Sequence, residues 1–311
     1  MSASSSLRQG VCQALAAYGL WGVFPLFFYL IREVPPLEIL GHRIVWCLLF
    51  LAIVLAVRGQ WRWLGEALRR PRLVGLFALT ALLIAANWYA YIWAVTGGHV
   101  IEAALGYFIN PLTSVLIGAL VLRERLSALQ WLAIGLATAG VVCMAMRAGH
   151  VPWLALFIAL TFSGYGLLRK VAPLGALEGL TLETLVLAPV ALALLAWLHG
   201  QGADHFPAAD AGLRTLVLLS GVVTAAPLLL FAGAARRIPM SWVGMLQYLS
   251  PTVQTLIGIA VFGDALGARW PGFALIWTGC ALFSLDLLRA HRRTGPAAPP
   301  ETITMPGQPG A

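Results

Sequence analysis

Ten long apolar stretches, separated by short connections, decide what this chain can become. They fall near 11–31, 36–57, 73–95, 100–122, 126–146, 152–168, 178–198, 212–235, 240–262 and 267–288. A helix needs about 20 apolar residues to cross the hydrocarbon core of a bilayer, whereas the strands of a membrane β-barrel would be about half as long and would alternate in polarity. The expected fold is therefore an all-α integral membrane protein with ten transmembrane helices. The overall makeup agrees: 60% of the residues are hydrophobic and only 10% are charged, against about a quarter charged in a soluble domain. A soluble core of this length could not hide so much apolar surface. The first run is followed by many others, so it reads as a retained span rather than a cleaved leader.

The net charge of +8 belongs to arginines in short loops, and nucleic acid is not an expected partner. If the N-terminus is cytoplasmic, fifteen of the twenty Lys and Arg residues fall on the inner side. Four (Arg32, Arg147, Arg214 and Arg269) fall outside, and Arg43 is left within a span. Basic residues favour the cytoplasmic side, so both termini are expected there. The stretch WRWLGEALRR is expected to lie flat on that face, tryptophans down. Cys12, Cys47, Cys143 and Cys280 all sit in apolar runs and suggest packing rather than disulfides or metal binding. The Pro-, Gly- and Ala-rich tail, 294–311, reads as disordered.

Displacing the sequence by 140 residues aligns HVIEAALGYFINPLTSVLIGALVLRERL, from His99, with PMSWVGMLQYLSPTVQTLIGIAVFGDAL, from Pro239, without a gap. Pro111 falls on Pro251, Gly118 on Gly258 and Glu124 on Asp264; after a one-residue shift, Trp131 meets Trp270 and Gly140 meets Gly279. The chain therefore divides into a first five-helix repeat, 11–147, and a second, 152–288. Five is odd, so the second repeat enters the membrane from the opposite side. Inverted repeats are a recurring plan of secondary transporters, although channels also use them.

The segments YGLWGVFPLFF, EILGHRIVW, NWYAYIWAV, GHVIEAALGYFINPL and RLSALQWLAIGLATAGV resemble the RarD group in the EamA branch of the drug/metabolite transporter superfamily. The resemblance spans about 10–290. It implies a ten-helix bacterial inner-membrane protein built from two five-helix repeats.

Residues three, four and seven apart share a helix face. In the fourth span Tyr107, Asn110 and Ser114 follow that spacing, and 140 residues later stand Gln247, Ser250 and Gln254. Each triplet brackets its proline, Pro111 or Pro251. Each proline leaves a carbonyl one turn earlier without its helical donor, which makes it a candidate hinge. Asn87 and Tyr91 share a face of the third span, and Tyr18, Trp21 and Pro25 one of the first. Such amides act either as glue between helices or as the lining of a central cavity. Aromatics beside a few amides suit an amphipathic organic molecule. Glu102 is a candidate proton-coupling carboxylate, with an ordinary wet helix end as the simpler reading.

His42 and Arg43 stand near the start of an apolar run. Arg43, seven residues in, would lie about 10 Å below the outer boundary, farther than the roughly 6 Å that an arginine reaches by snorkelling. It is expected to face the bundle interior, either attracting an anionic solute group or anchoring carbonyls or Glu102. Glu38 and His42 are expected to form a separate outer polar cluster. The expected substrate contacts are thus Tyr18, Trp21, His42, Arg43, Asn87, Tyr91, Tyr107, Asn110, Ser114, Gln247, Ser250 and Gln254. No metal-ligand spacing or phosphate loop occurs, so no cofactor is expected. The leading function is a secondary transporter of a small amphipathic organic solute, metabolite or drug-like, exported by alternating access and driven by a proton or solute counter-gradient. Import or exchange of an amino acid or similar metabolite is the alternative, and a channel or non-transporting membrane protein the competing class. An enzyme is not expected, and the oligomeric state is open.

Overall fold

The computed structural model describes residues 3–96, 100–146, 153–207, 209–262 and 270–293. Asp264, Arg147, Arg269, the side chain of Glu102 and the 294–311 tail lie outside the described residues. Thirteen helices follow in order: α1 (Ala3–Gly22), α2 (Phe24–Leu30), α3 (Pro36–Arg58), α4 (Arg62–Leu68), α5 (Pro71–Thr96), α6 (Val100–Leu120), α7 (Ala128–Ala145), α8 (Trp153–Val171), α9 (Ala176–Gly200), α10 (Ala211–Ala235), α11 (Met240–Gln247), α12 (Leu249–Phe262) and α13 (Trp270–Arg293). No strand occurs among the described residues. Two of the ten apolar runs are broken, into α1 with α2 and α11 with α12, and α4 is an extra short helix. Seven helical stretches among the described residues are long and apolar enough to cross a membrane.

Local chemistry explains the boundaries. Pro25 stands in the first turn of α2, and Pro36 opens α3, both places where a missing N–H costs nothing. Gly59 ends α3 at φ 62°, a backbone conformation that suits glycine. Ser127 and Gln130 form a reciprocal capping box on α7, and Asp210 caps α10 through the N–H of Leu213. On α4, Trp63 and Leu64 pack on a cluster of Phe77, Ala172 and Leu182.

The two matched prolines behave differently. Helix α6 runs through Pro111 without interruption. Its counterpart breaks at Tyr248, three residues before Pro251. The break lies one turn N-terminal to Pro251, where the missing N–H leaves the Gln247 carbonyl without its usual donor.

Small residues let helices meet at close range, as packing inside a membrane requires. A Cβ on Gly221 would come within 2.3 Å of the Trp46 backbone, so α10 crosses α3 almost backbone to backbone. A Cβ on Gly244 would meet the Pro111 carbonyl at 2.6 Å, where α11 crosses α6. The main packing pairs are α7 with α13, α6 with α11, α3 with α9, α6 with α8, α1 with α12, α3 with α10, α5 with α9, α1 with α10 and α5 with α8.

Candidate functional site: a central cavity

A cavity of about 430 Å³ lies among these helices, within the size range of small-molecule sites. Helices α1 and α2 supply Tyr18, Trp21, Pro25 and Phe28; α3 supplies Arg43; α5 supplies Asn87, Trp88 and Tyr91. Tyr107 and Asn110 come from α6, Phe162 from α8 and Thr224 from α10. Gln247, Ser250, Pro251 and Gln254 line it around the α11–α12 break. Its mouth is at the connection between α2 and α3, beside the exposed Arg32 and Pro36.

The opposite face is closed. Below the cavity, Trp21, Phe162 and Phe231 meet with ring centroids 5.2–5.7 Å apart, and Tyr165 stacks on Phe231. Farther down, side chains bridge the helix ends. Lys170 Nζ donates to the carbonyls of Ala235 (2.9 Å) and Ile238 (2.6 Å), and Arg236 donates to those of Ala172 and Leu174. The Glu124 carboxylate accepts from the N–H groups of Met240 and Ser241 and from the Ser241 hydroxyl, at 2.5–2.9 Å. It thereby satisfies unpaired donors at the α11 N-terminus, where a negative charge is favoured.

Ten of the twelve expected contact residues line this one cavity. Many of them are also bonded between helices, so lining and glue are combined in the same side chains. Asn87 Nδ2 donates to the Ile158 carbonyl (2.7 Å) and to Thr161 Oγ1 (3.0 Å), tying α5 to α8. Asn110 Oδ1 accepts from Ser163 Oγ at 2.8 Å. Tyr18 donates to the Val243 carbonyl at 3.0 Å. Gln254 Nε2 donates to the Trp21 carbonyl at 3.0 Å, and Tyr91 and Tyr107 meet edge to face at 5.6 Å. Gln247 differs: it is 5% exposed, and its Oε1 has no hydrogen-bond partner among the described residues.

His42 and Ser114 do not line the cavity. Ser114 shares the Asn110 face of α6 but lies a turn deeper, against Ser163 Oγ at 3.1 Å. His42 is turned about 100° from Arg43. It accepts from Trp46 Nε1 and packs on Phe206 with centroids 4.7 Å apart. Its neighbour Glu38 is fully buried, accepts from the N–H groups of His205 and Phe206, and faces His42 Nε2 at 3.8 Å. Glu38 and His42 do share a polar cluster, which pins the 203–206 segment onto α3. Beyond the helices, the Asp204 carboxyl is held below its usual pKa range, chiefly by its hydrogen bond with His199.

Arg43 points into the cavity. Its Nε donates to Thr224 Oγ1 at 2.9 Å, and its guanidinium carbon lies 5.0 Å from the Trp88 ring and 5.5 Å from that of Phe28. Among the described residues no carboxylate lines the cavity or pairs with Arg43. Thr224, Trp88 and Phe28 had no place among the expected contacts. The i, i+4 pair Ser220 and Thr224 in an apolar run was the available signal for the first. The aromatics carried none, since lipid-facing rings look the same in sequence.

A polytopic helical bundle that crosses and recrosses the membrane and encloses an amphipathic cavity is the class this architecture defines. The EamA-like transporter family matches residues 8–146. Protein RarD of Streptomyces exfoliatus is 43% identical over 312 residues, covering 99% of both chains. An uncharacterized transporter of Pseudomonas aeruginosa is 43% identical over 292 residues, covering 94% of this chain and 98% of that one. A solved crystal structure shares the fold at a TM-score of 0.69 and 22% identity, covering 93% of this chain and 99% of the other. The chain belongs to the EamA-like transporter family, among the RarD proteins, and is a multi-pass membrane transporter.

Proposed function

We propose that this chain is a secondary transporter that moves a small amphipathic organic solute by alternating access across a bacterial inner membrane, with both termini cytoplasmic and export as the net direction. The carrying observation is a cavity whose exposed lining residues, Arg32 and Pro36, stand on one face, while an aromatic layer backed by breakable polar bridges between helix ends closes the other. In the proposed orientation the mouth at Arg32 is external and the Glu124, Lys170 and Arg236 bridges are cytoplasmic. Closing the mouth and breaking those bridges would present the same lining to the other side.

The inverted repeat supplies the symmetry for such an exchange, and the packing supports it. Adding 140 residues carries α1 and α2 to α8, α3 to α9, α5 to α10, α6 to α11 and α12, and α7 to α13. Under this exchange three packing pairs map to themselves: α7 with α13, α6 with α11 and α3 with α9. The other six swap in twos: α6–α8 with α1–α12, α3–α10 with α5–α9, and α1–α10 with α5–α8. Side-chain detail agrees on α7 and α13. A Cβ on Gly140 would meet the Gly272 carbonyl at 2.6 Å, and one on Gly279 would meet the Ala133 carbonyl at the same distance.

Purified protein screened by thermal shift and then assayed in proteoliposomes tests the reading. Gradient-driven or counterflow movement of a stabilising solute is expected, and binding without movement would overturn it. Cysteines at Gly202 and Gly65 test the orientation: the first is expected to label from outside intact cells and the second not.

A further inference from the structure

We infer that the cavity selects a planar organic monoanion, an aromatic carboxylate, and discriminates against zwitterions and cations of the same skeleton. The inference rests on the transport reading only in taking this cavity as the solute site.

The charge balance of the lining comes first. Its charged members among the described residues are Arg43 within and Arg32 at the mouth, both cationic, and no carboxylate stands in that described lining. A low-dielectric cleft of one sign concentrates ions of the other. Arg43 spends only Nε on the protein, bonding Thr224. Its two Nη groups, the fork that binds a carboxylate through two parallel hydrogen bonds, have no acceptor among the described residues. Thr224 and the rings of Trp88 and Phe28 hold the guanidinium in place, so a solute would find the fork already oriented. The guanidinium is half-buried and its fork is unpaired among the described residues, so an arriving carboxylate would offset part of its desolvation cost.

The rest of the lining says what the anion is attached to. Trp21, Trp88, Tyr91, Tyr107 and Phe162 present ring faces and edges on several sides, which suits a flat aromatic body. The Gln247 amide, whose Oε1 has no donor among the described residues, stands in the same lining and offers a polar group beside the rings. An α-ammonium on the carbon bearing the carboxylate would be brought close to Arg43, with no acid in the described lining to balance it. Zwitterions are disfavoured on that ground.

Three probes isolate the charge: 3-(4-hydroxyphenyl)propanoate, L-tyrosine and tyramine share a phenol and a two-carbon spacer and differ as monoanion, zwitterion and cation. Binding to the purified full-length protein at pH 7.5, read by calorimetry, is expected to be at least about tenfold tighter for the monoanion than for L-tyrosine, with tyramine weakest. Arg43→Gln is expected to lose at least about tenfold for the monoanion and to bring the three affinities together. Thr224→Val keeps the charge but loosens the fork, and is expected to weaken the monoanion by less than Arg43→Gln does. The wild-type ranking decides the matter even if Arg43→Gln fails to fold. Equal or tighter binding of L-tyrosine or tyramine, or no millimolar binding of the monoanion, would overturn the inference. Counterflow in proteoliposomes separates the two readings. The ranking without flux would sink transport and leave the site standing, whereas flux of other solutes without monoanion binding would sink the site chemistry alone.

Discussion

Arg43 and Arg169 are both held inside the helical bundle, and their surroundings differ in every respect that matters for function. Arg169, on α8, is fully buried. Its Nη1 lies 3.6 Å from Glu183 Oε1 on α9, a charge contact without a direct hydrogen bond. Its Nη2 donates to the carbonyls of Gly175 (3.4 Å) and Ala176 (3.1 Å), and its guanidinium carbon lies 5.5 Å from the Phe77 ring. Tyr165 donates to the other Glu183 oxygen at 3.2 Å. A Cβ on Gly179 would come within 1.8 Å of Nη1, so the space is shaped around this side chain. Arg43 has one protein hydrogen bond, no carboxylate among the described residues, and an open cavity before it. The first arginine is surrounded by the fold that it stabilises. The second is held in position with its fork left over, and that difference is the ground for proposing it as a docking group.

Breaking the anchor should give the largest effect. Arg169→Leu leaves Glu183 buried and unpaired, and is expected to cost about 3–5 kcal/mol, seen as a large fall in Tm in detergent and poor yield. Arg169→Leu combined with Glu183→Leu should recover a good part of that loss, since an apolar pair has no charge to strand. A double variant no better than the single would contradict the pairing. Next comes Glu124→Ala, which removes the acceptor of two backbone donors at the α11 N-terminus. A loss of about 0.5–2 kcal/mol is expected, together with faster cysteine labelling on the face closed by Glu124. Thr224→Val frees Arg43 Nε and should cost about 0.5–1.5 kcal/mol. Smallest of all is Asp204→Asn. The carboxyl lies at the protein surface, bonded to the exposed His199, so no measurable change in Tm is expected at neutral pH. Because its folded pKa is lowered, any contribution it makes is present at neutral pH and would be lost as pH falls through that value.

Much of this was legible because membrane thickness fixes helix length, and a 3.6-residue period fixes which side chains share a face. The apolar runs located the helices, and five of the six residues in the two triplets bracketing Pro111 and Pro251, with Asn87, Tyr91, Tyr18, Trp21 and Arg43, line one cavity. Depth was not legible. Ser114 shares a face with Asn110, yet Ser163 on α8 fills the space beside it. Arg169 next to Lys170 read as an ordinary basic loop, because only the approach of α9 at Gly179 buries it. The paired prolines gave no hint that α6 would continue and α11 break, since the outcome depends on neighbours that the pattern does not contain. EamA-like membership and the helical bundle stand on the comparisons and the fold. The roles of Tyr107, Asn110, Gln247 and their neighbours toward a solute stand as proposals on the geometry.

The central claim is that Arg43 acts on a solute and not on the fold, and Arg43→Gln in matched preparations tests it most directly. The account predicts an apo Tm within about 2–4 °C of wild type, equivalent to about 1 kcal/mol, together with at least a roughly tenfold loss of monoanion binding and flux. A Tm that falls as far as that of Arg169→Leu would make Arg43 a second anchor, and wild-type binding and flux in Arg43→Gln would contradict the account outright.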